Sequence, residues 1–133
     1  MAKFPAEFLY TKEHEWASYD KATGVLTVGI TTYAADKLGE IVYVELPEVG
    51  TALKREESFG IIESTKSVSD MFSPVAGEVV EANDVLVDGP ELINSDPQDE
   101  GWLVRLKVAD AAELEELMDA EAYEKFVGDL DED

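Results

Sequence analysis

Hydrophobic runs rich in β-branched residues, broken by turn formers, fill the first two-thirds of the chain. Gly24-Val25-Leu26-Thr27-Val28-Gly29-Ile30 and Glu40 to Leu46 predict strands, the second closed by Pro47 and Gly50. Thr51 to Lys54, Phe59 to Glu63 and Val75 to Ala82 predict further strands; Pro74 and Gly77 punctuate the last, and Asn83-Asp84 ends it. Thr31 to Leu38 suits a short helix that Thr31 or Thr32 can cap and Gly39 can stop. Leu86 to Gly101, with Gly89, Pro90, Asn94 and Pro97, reads as loop. Trp102 to Val108 is the last strand, with Trp102, Val104, Leu106 and Val108 on one face and Arg105 and Lys107 on the other.

The period then changes. Asp110 and Glu113 have the capping-box spacing, and Leu114, Leu117 and Met118 recur at helical intervals, so they are expected to face the core. Asp119 predicts the start of a second short helix, with Ala122, Tyr123, Phe126 and Val127 on one side and Gly128 as its stop. The expectation is a helical tail over 109–128 and a frayed acidic end over 129–133. Many short strands followed by helices predict an α+β, mainly β, architecture with a sandwich or barrel core. The length fits a single domain, 1–133.

Composition narrows the function. The 45% hydrophobic content belongs to a chain that folds. No stretch approaches the roughly 18 apolar residues that span a bilayer. Met1 to Glu7 reads as neither a secretory signal nor an Arg-rich transit peptide. The expected compartment is the cytoplasm if the chain is bacterial, and the mitochondrial matrix only if it is a processed eukaryotic chain. The absence of cysteine excludes disulfides, thiolate metal sites and cysteine nucleophiles, and the single histidine, His14, excludes a His-rich metal site. A net charge of −21 argues against nucleic acid and anionic membranes, and favours salt-sensitive encounters with basic partner surfaces.

One lysine stands apart on this acidic chain. Lys66 sits in Glu63-Ser64-Thr65-Lys66-Ser67-Val68-Ser69-Asp70, between the strand-like Phe59 to Ile62 and, after Ser73-Pro74, Val75 to Glu81. An isolated lysine at a turn tip can be an attachment point, in which case the chemistry belongs to what is attached. The hydroxyls of Ser64, Thr65, Ser67 and Ser69 can support the turn through side-chain to backbone bonds. Taken singly these residues are ordinary: a surface lysine, solvated carboxylates at Glu63 and Asp70, and a histidine more often structural than catalytic.

Taken together they resemble a family. Tyr10 to Trp16, Val28 to Thr31, Leu38 to Val42, Glu45 to Gly50, Glu63 to Asp70, Ser73 to Val79, Leu92 to Pro97 and Gly101-Trp102 are similar, in order and spacing, to the H proteins of the glycine cleavage system. The Glu-Ser-x-Lys-Ser/Ala-x-Ser-Asp core separates this resemblance from biotin carriers and from the lipoyl domains of acyltransferases. The resemblance implies a barrel-sandwich hybrid of the lipoyl/biotinyl type, with a short helix and a C-terminal helical tail. It implies lipoate in amide linkage to Lys66 and a carrier with no catalytic residues of its own. That carrier moves the aminomethyl group of glycine from the P protein, a glycine decarboxylase, to the T protein, an aminomethyltransferase. The L protein, a dihydrolipoyl dehydrogenase, then reoxidises it. A lipoylating enzyme is a further implied partner. Glu15 and Asp70, with His14 beside them, match positions expected at a cleft for the loaded arm. Where some members carry a histidine near the short helix, this chain has Tyr33. A carrier presenting one arm to several active sites is expected to be a monomer. The same motif also suits an H-like relay that donates lipoyl groups to other complexes.

Overall fold

Alternating burial along the strands sets which faces meet. In the computed structural model, which describes residues 4–131, β1 (Leu9–Tyr10), β2 (Glu15–Asp20) and β3 (Val25–Ile30) form an antiparallel meander. A short helix, α1 (Thr32–Leu38), follows, with Thr31 Oγ1 accepting from Ala34 N as its cap and Gly39 closing it. Next come β4 (Ile41–Glu45), β5 (Ala52–Leu53), β6 (Ser58–Ser64), β7 (Val68–Phe72) and β8 (Gly77–Ala82). Two helical turns, α2 (Val85–Asp88) and α3 (Leu92–Ser95), precede β9 (Val104–Val108); a 3₁₀ helix over Ala111–Glu116 and a final helix, α4 (Ala120–Asp131), end the chain.

The strands sort into a six-stranded sheet, β1-β2-β3-β9-β8-β5, and a three-stranded sheet, β4-β6-β7. Leu26, Val28, Val79, Val104 and Leu106 from the first meet Val44, Ile62 and Met71 from the second in one buried cluster. Each such side chain contributes about 1.5–3 kcal/mol on burial. A second cluster, Phe4, Tyr10, Trp16, Tyr123 and Val127, fixes α4 against β1 and β2. The open edge of β1 is closed there as well, because Tyr10 and Met118 exchange backbone hydrogen bonds of 2.8 and 2.9 Å.

The mainly β architecture with helices matches expectation, and the differences are local. The stretch from Leu86 to Gly101 is not all loop, since it contains α3 and part of α2. Their four-residue length, with Gly89 and Pro90 between them, hides any helical period. Strand β7, Val68–Phe72, is a strand beyond those expected: it pairs with β6, with Glu63 opposite Val68, while β4 pairs with the other edge of β6. Glu113 does not complete a capping box: Asp110 accepts from Ala112 N, while the Glu113 carboxylate reaches across to Ala76 N at 2.8 Å. The first tail helix is therefore a tight 3₁₀ segment, and Leu114, Leu117 and Met118 pack partly buried against the two clusters. Asp119 does cap the second, through Ala122 N at 2.8 Å. That helix runs through Gly128 to Asp131, so 129–131 is helical and not a frayed end. Gly128 stands exposed with open space around it, and nothing there forces a stop. The rest of that expectation, 132–133, lies outside the described residues, as do Met1 to Lys3.

Candidate functional site

The β6–β7 hairpin presents Lys66. Ser64 N donates to Ser67 O at 2.8 Å, leaving Thr65 and Lys66 as the exposed tip. Ser64 is the one hydroxyl that braces this turn from inside: its Oγ accepts from Ser67 N at 3.1 Å and from Lys66 N at 3.3 Å. The Thr65 and Ser67 side chains are exposed, and Ser69 sits one strand position into β7. Glu63 is half-buried on β6, and Asp70 is exposed on β7, where it accepts from Ser58 Oγ at 3.1 Å.

A second support comes from outside the hairpin. Thr65 N donates to Glu40 O at 3.0 Å. The Gly39–Ile41 segment that carries that carbonyl is held by Asn94, which accepts from Ile41 N at 2.9 Å and donates to Gly39 O at 2.7 Å. The Lys66 stem also crosses Gly39, where a Cβ would lie 3.4 Å from Lys66 Cε. Lys66 and the tip that carries it thus lean on the C-terminal end of α1.

That helix forms one wall of a cleft of about 430 Å³, through Ala34, Lys37 and Leu38. Strand β7 supplies the facing wall, Ile30 and Ile62 contribute apolar surface, and Glu13, His14 and Glu15 lie along the remaining side. The structure therefore brings Glu15, His14, Ser69 and Asp70 to one cleft. Glu63, Ser64, Thr65, Lys66 and Ser67 lie outside its lining, in the adjoining hairpin.

Glu15 is the unusual group of this cleft. Its carboxyl is 2% exposed, takes a 2.6 Å hydrogen bond from Thr11 Oγ1 on one oxygen and a 3.2 Å bond from Phe72 N on the other. Burial pushes its pKa up to about 7; the Thr11 and Phe72 bonds offset part of that, and nearby Glu13 adds to it. Near neutral pH this carboxyl is poised to hold or release a proton. Glu15 also borders a smaller cleft, of about 270 Å³, across which Arg55 pairs with Glu116 at 2.8 Å.

His14 has a left-handed backbone, φ 70°. Its half-buried ring lies 4.8 Å from Tyr33 and bonds through Nδ1 to Tyr123 Oη at 2.7 Å. Burial lowers its pKa, and Glu13 opposes the shift, so the ring is neutral at neutral pH. Tyr33 packs on His14. Sequence reasoning gave Thr11, Asn94 and Tyr123 no place at the site and read Gly39 only as the stop of a helix. Thr11, Gly39 and Asn94 left a signal inside the Tyr10 to Trp16, Leu38 to Val42 and Leu92 to Pro97 runs, and Tyr123 left none beyond its place on a helix face.

Residues that fit a tethered acyl arm bearing a cationic amine are all present. They are an exposed primary amine on a braced tip, a cleft beside its stem with apolar walls, and carboxyl groups within that cleft. Among the described residues, no group of three or more metal-ligating side chains comes together.

Comparison with known proteins gives a consistent result. Residues 8–130 match the family described as Glycine cleavage H-protein. The chain is 52% identical over 126 residues to a glycine cleavage system H protein of Symbiobacterium thermophilum, covering 95% of this chain and 97% of that one. It is 48% identical over 129 residues to one of Escherichia coli, covering 97% and 99%. The crystal structure of a glycine cleavage system H protein from Mycobacterium marinum superposes with a TM-score of 0.82 at 39% identity, covering 94% of this chain and 99% of that one.

Proposed function

The chain belongs to the glycine cleavage H-protein family, and from that premise we propose that it is the lipoyl carrier of the glycine cleavage system, with Lys66 as its attachment residue. The observation that carries this reading is the position of Lys66. It stands at the tip of a hairpin braced by Ser64 and Glu40, and its stem lies over the end of the helix that walls the cleft. Lipoate held by Lys66 through an amide would supply a reversible disulfide suited to carrying the aminomethyl group of glycine. The amide also removes the lysine charge and leaves a long, neutral arm.

The chain's own residues bind and shield. The walls from Leu38, Ile62 and Met71 exclude water from whatever enters the cleft. Asp70 at the exposed side offers a carboxylate to a cationic amine. Each Glu15 oxygen keeps a lone pair beyond the one given to Thr11 or Phe72 N, so the ionised carboxyl can accept from that amine as well. Ionising Glu15 inside the cleft is costly, and a cationic guest lowers that cost. No nucleophile and base pair is needed, which suits a carrier without catalysis of its own.

The partners are then the P, T and L proteins and a lipoylating enzyme. A net charge of −21 favours fast encounters with basic faces on them. Mass analysis of the peptide containing Lys66, from cells that make lipoate, tests the reading. One lipoyl group on Lys66 is expected. A lysine that stays unmodified in every growth condition argues instead for an acidic adaptor.

A further inference from the structure

A chain of hydroxyls runs from the cap of α1 to the single histidine. Thr31, fully buried, accepts from Ala34 N with its Oγ1 and lies 2.8 Å from Tyr123 Oη. Tyr123, also fully buried, lies in turn 2.7 Å from His14 Nδ1. Three hydrogens have to be placed among these groups. The arrangement that satisfies them all has Thr31 donating to Tyr123 and Tyr123 donating to His14 Nδ1. In the reverse arrangement His14 donates to Tyr123 and Tyr123 to Thr31, and the Thr31 hydrogen is left buried with no acceptor among the described contacts. The satisfied arrangement leaves Nε2 as the protonated nitrogen of a neutral ring that lines the cleft.

Resting on the reading of that cleft as the place for the arm, we propose that Tyr123 is a positioning residue. Its hydroxyl fixes His14 as the Nε2–H tautomer, which leaves a ring lining the cleft with a single hydrogen-bond donor for a neutral acceptor on the arm, an amide oxygen or a sulfur. The surroundings are built to hold that ring in place. Tyr33, Tyr123 and Phe126 lie with ring centroids 4.8, 5.8 and 6.0 Å from it, and Thr31 N donates to His14 O at 3.0 Å. Tyr123 itself is stacked on Tyr10 at 4.8 Å and 8°. The charged and titratable groups facing His14 are Glu13 and Glu15 beside it, Lys37 and Tyr33 on α1, Asp70 on β7 and Tyr123 on α4. The carboxylates suit a cationic amine, and a neutral donor among them recognises a different part of the arm. Protonating His14 would force the Tyr123 hydrogen to turn and orphan that of Thr31, in keeping with the lowered pKa of the ring. By this route the C-terminal helix belongs to the arm site, although it does not line the cleft.

The tautomer is read directly by long-range proton–nitrogen NMR on ¹⁵N-histidine protein without lipoate. Nδ1 should appear as the unprotonated nitrogen and Nε2 as the protonated one. In Tyr123→Phe, which keeps the stacked ring, the tautomers should mix and the His14 titration midpoint should rise. In the lipoylated protein, the same variant should shorten the lifetime of the loaded arm in water roughly three- to tenfold, the worth of one hydrogen bond. His14→Ala should do the same, and the double variant no more than that. A protonated Nδ1 in the wild type overturns the proposal, and so do additive losses in the double variant. A Tyr123→Phe protein that is less stable but keeps its tautomer and its loaded lifetime does so too. A wild-type loaded arm that decays as fast as one on free lipoamide ends the cleft reading and this proposal with it, whatever tautomer His14 shows.

Discussion

Gly39 and Lys66 meet where α1 ends: a Cβ on Gly39 would lie 3.4 Å from Lys66 Cε and 3.8 Å from Nζ. The backbone there has φ 80° and ψ −151°, a region open essentially to glycine alone. The residue that stops the helix therefore also makes room for the Lys66 side chain. Gly39→Ala is expected to cost about 1–3 kcal/mol of stability through backbone strain and to slow lipoylation of Lys66. Urea unfolding and the rate of modification measure the two effects. An alanine variant with wild-type stability and wild-type rate would show that the position is not special.

Glu15 makes stability depend on pH in a direction opposite to most carboxylates. Its pKa rises from 4.5 to about 7 on folding, so the folded protein holds the proton more tightly. Its contribution is fully present below the unfolded value and is lost as pH rises through about 7. The span corresponds to on the order of 3 kcal/mol. Glu15→Gln should remove most of this fall, measured as the difference in unfolding free energy between about pH 4 and about pH 8 relative to wild type. An unchanged difference would mean that Glu15 titrates as an ordinary surface acid.

Asn94 reaches the tether at one remove. Its two bonds, to Gly39 O and Ile41 N, hold the segment whose Glu40 carbonyl accepts from Thr65. Asn94→Ala should lose about 1–2 kcal/mol, since each hydrogen bond contributes roughly 1. It should also raise amide exchange at Thr65, 29 positions away in sequence (94 minus 65). Exchange at Thr65 that does not change would break the proposed link.

The hydroxyls around Lys66 should separate in a mutational series. Ser64→Ala removes an acceptor for two backbone N–H groups and is expected to cost about 1–2 kcal/mol and to slow modification. Thr65→Ala and Ser67→Ala, with exposed side chains, should stay within about 0.5 kcal/mol of wild type. Equal effects at all three positions would mean that the hydroxyls themselves are what the lipoylating enzyme recognises.

The parts of this fold that announce themselves in sequence are those where local chemistry decides. The β-branched run of β3, the Thr31 cap and the Gly39 stop are of that kind. β2 is harder to see, because Glu15-Trp16-Ala17-Ser18-Tyr19-Asp20 has no β-branched residue and buries a carboxyl. β7 is obscured in the same way, burying only Met71 among Val68, Ser69, Asp70 and Phe72. At the site, Lys66 is legible because a turn and its motif are contiguous. The state of Glu15 is not, because its Phe72 partner lies 57 positions away. Tyr123 lies further still from His14, at 109 positions, and only the packing of α4 against β1 and β2 brings them together.

Lys66 is the residue on which the proposed carrier function depends. Lipoylated protein mixed with purified P protein should support glycine-dependent exchange of carbon dioxide. Lys66→Arg, which keeps the charge at an exposed tip, should fold normally and abolish that exchange. Exchange sustained by the Lys66→Arg protein would contradict the assignment of Lys66 as the residue that carries the arm.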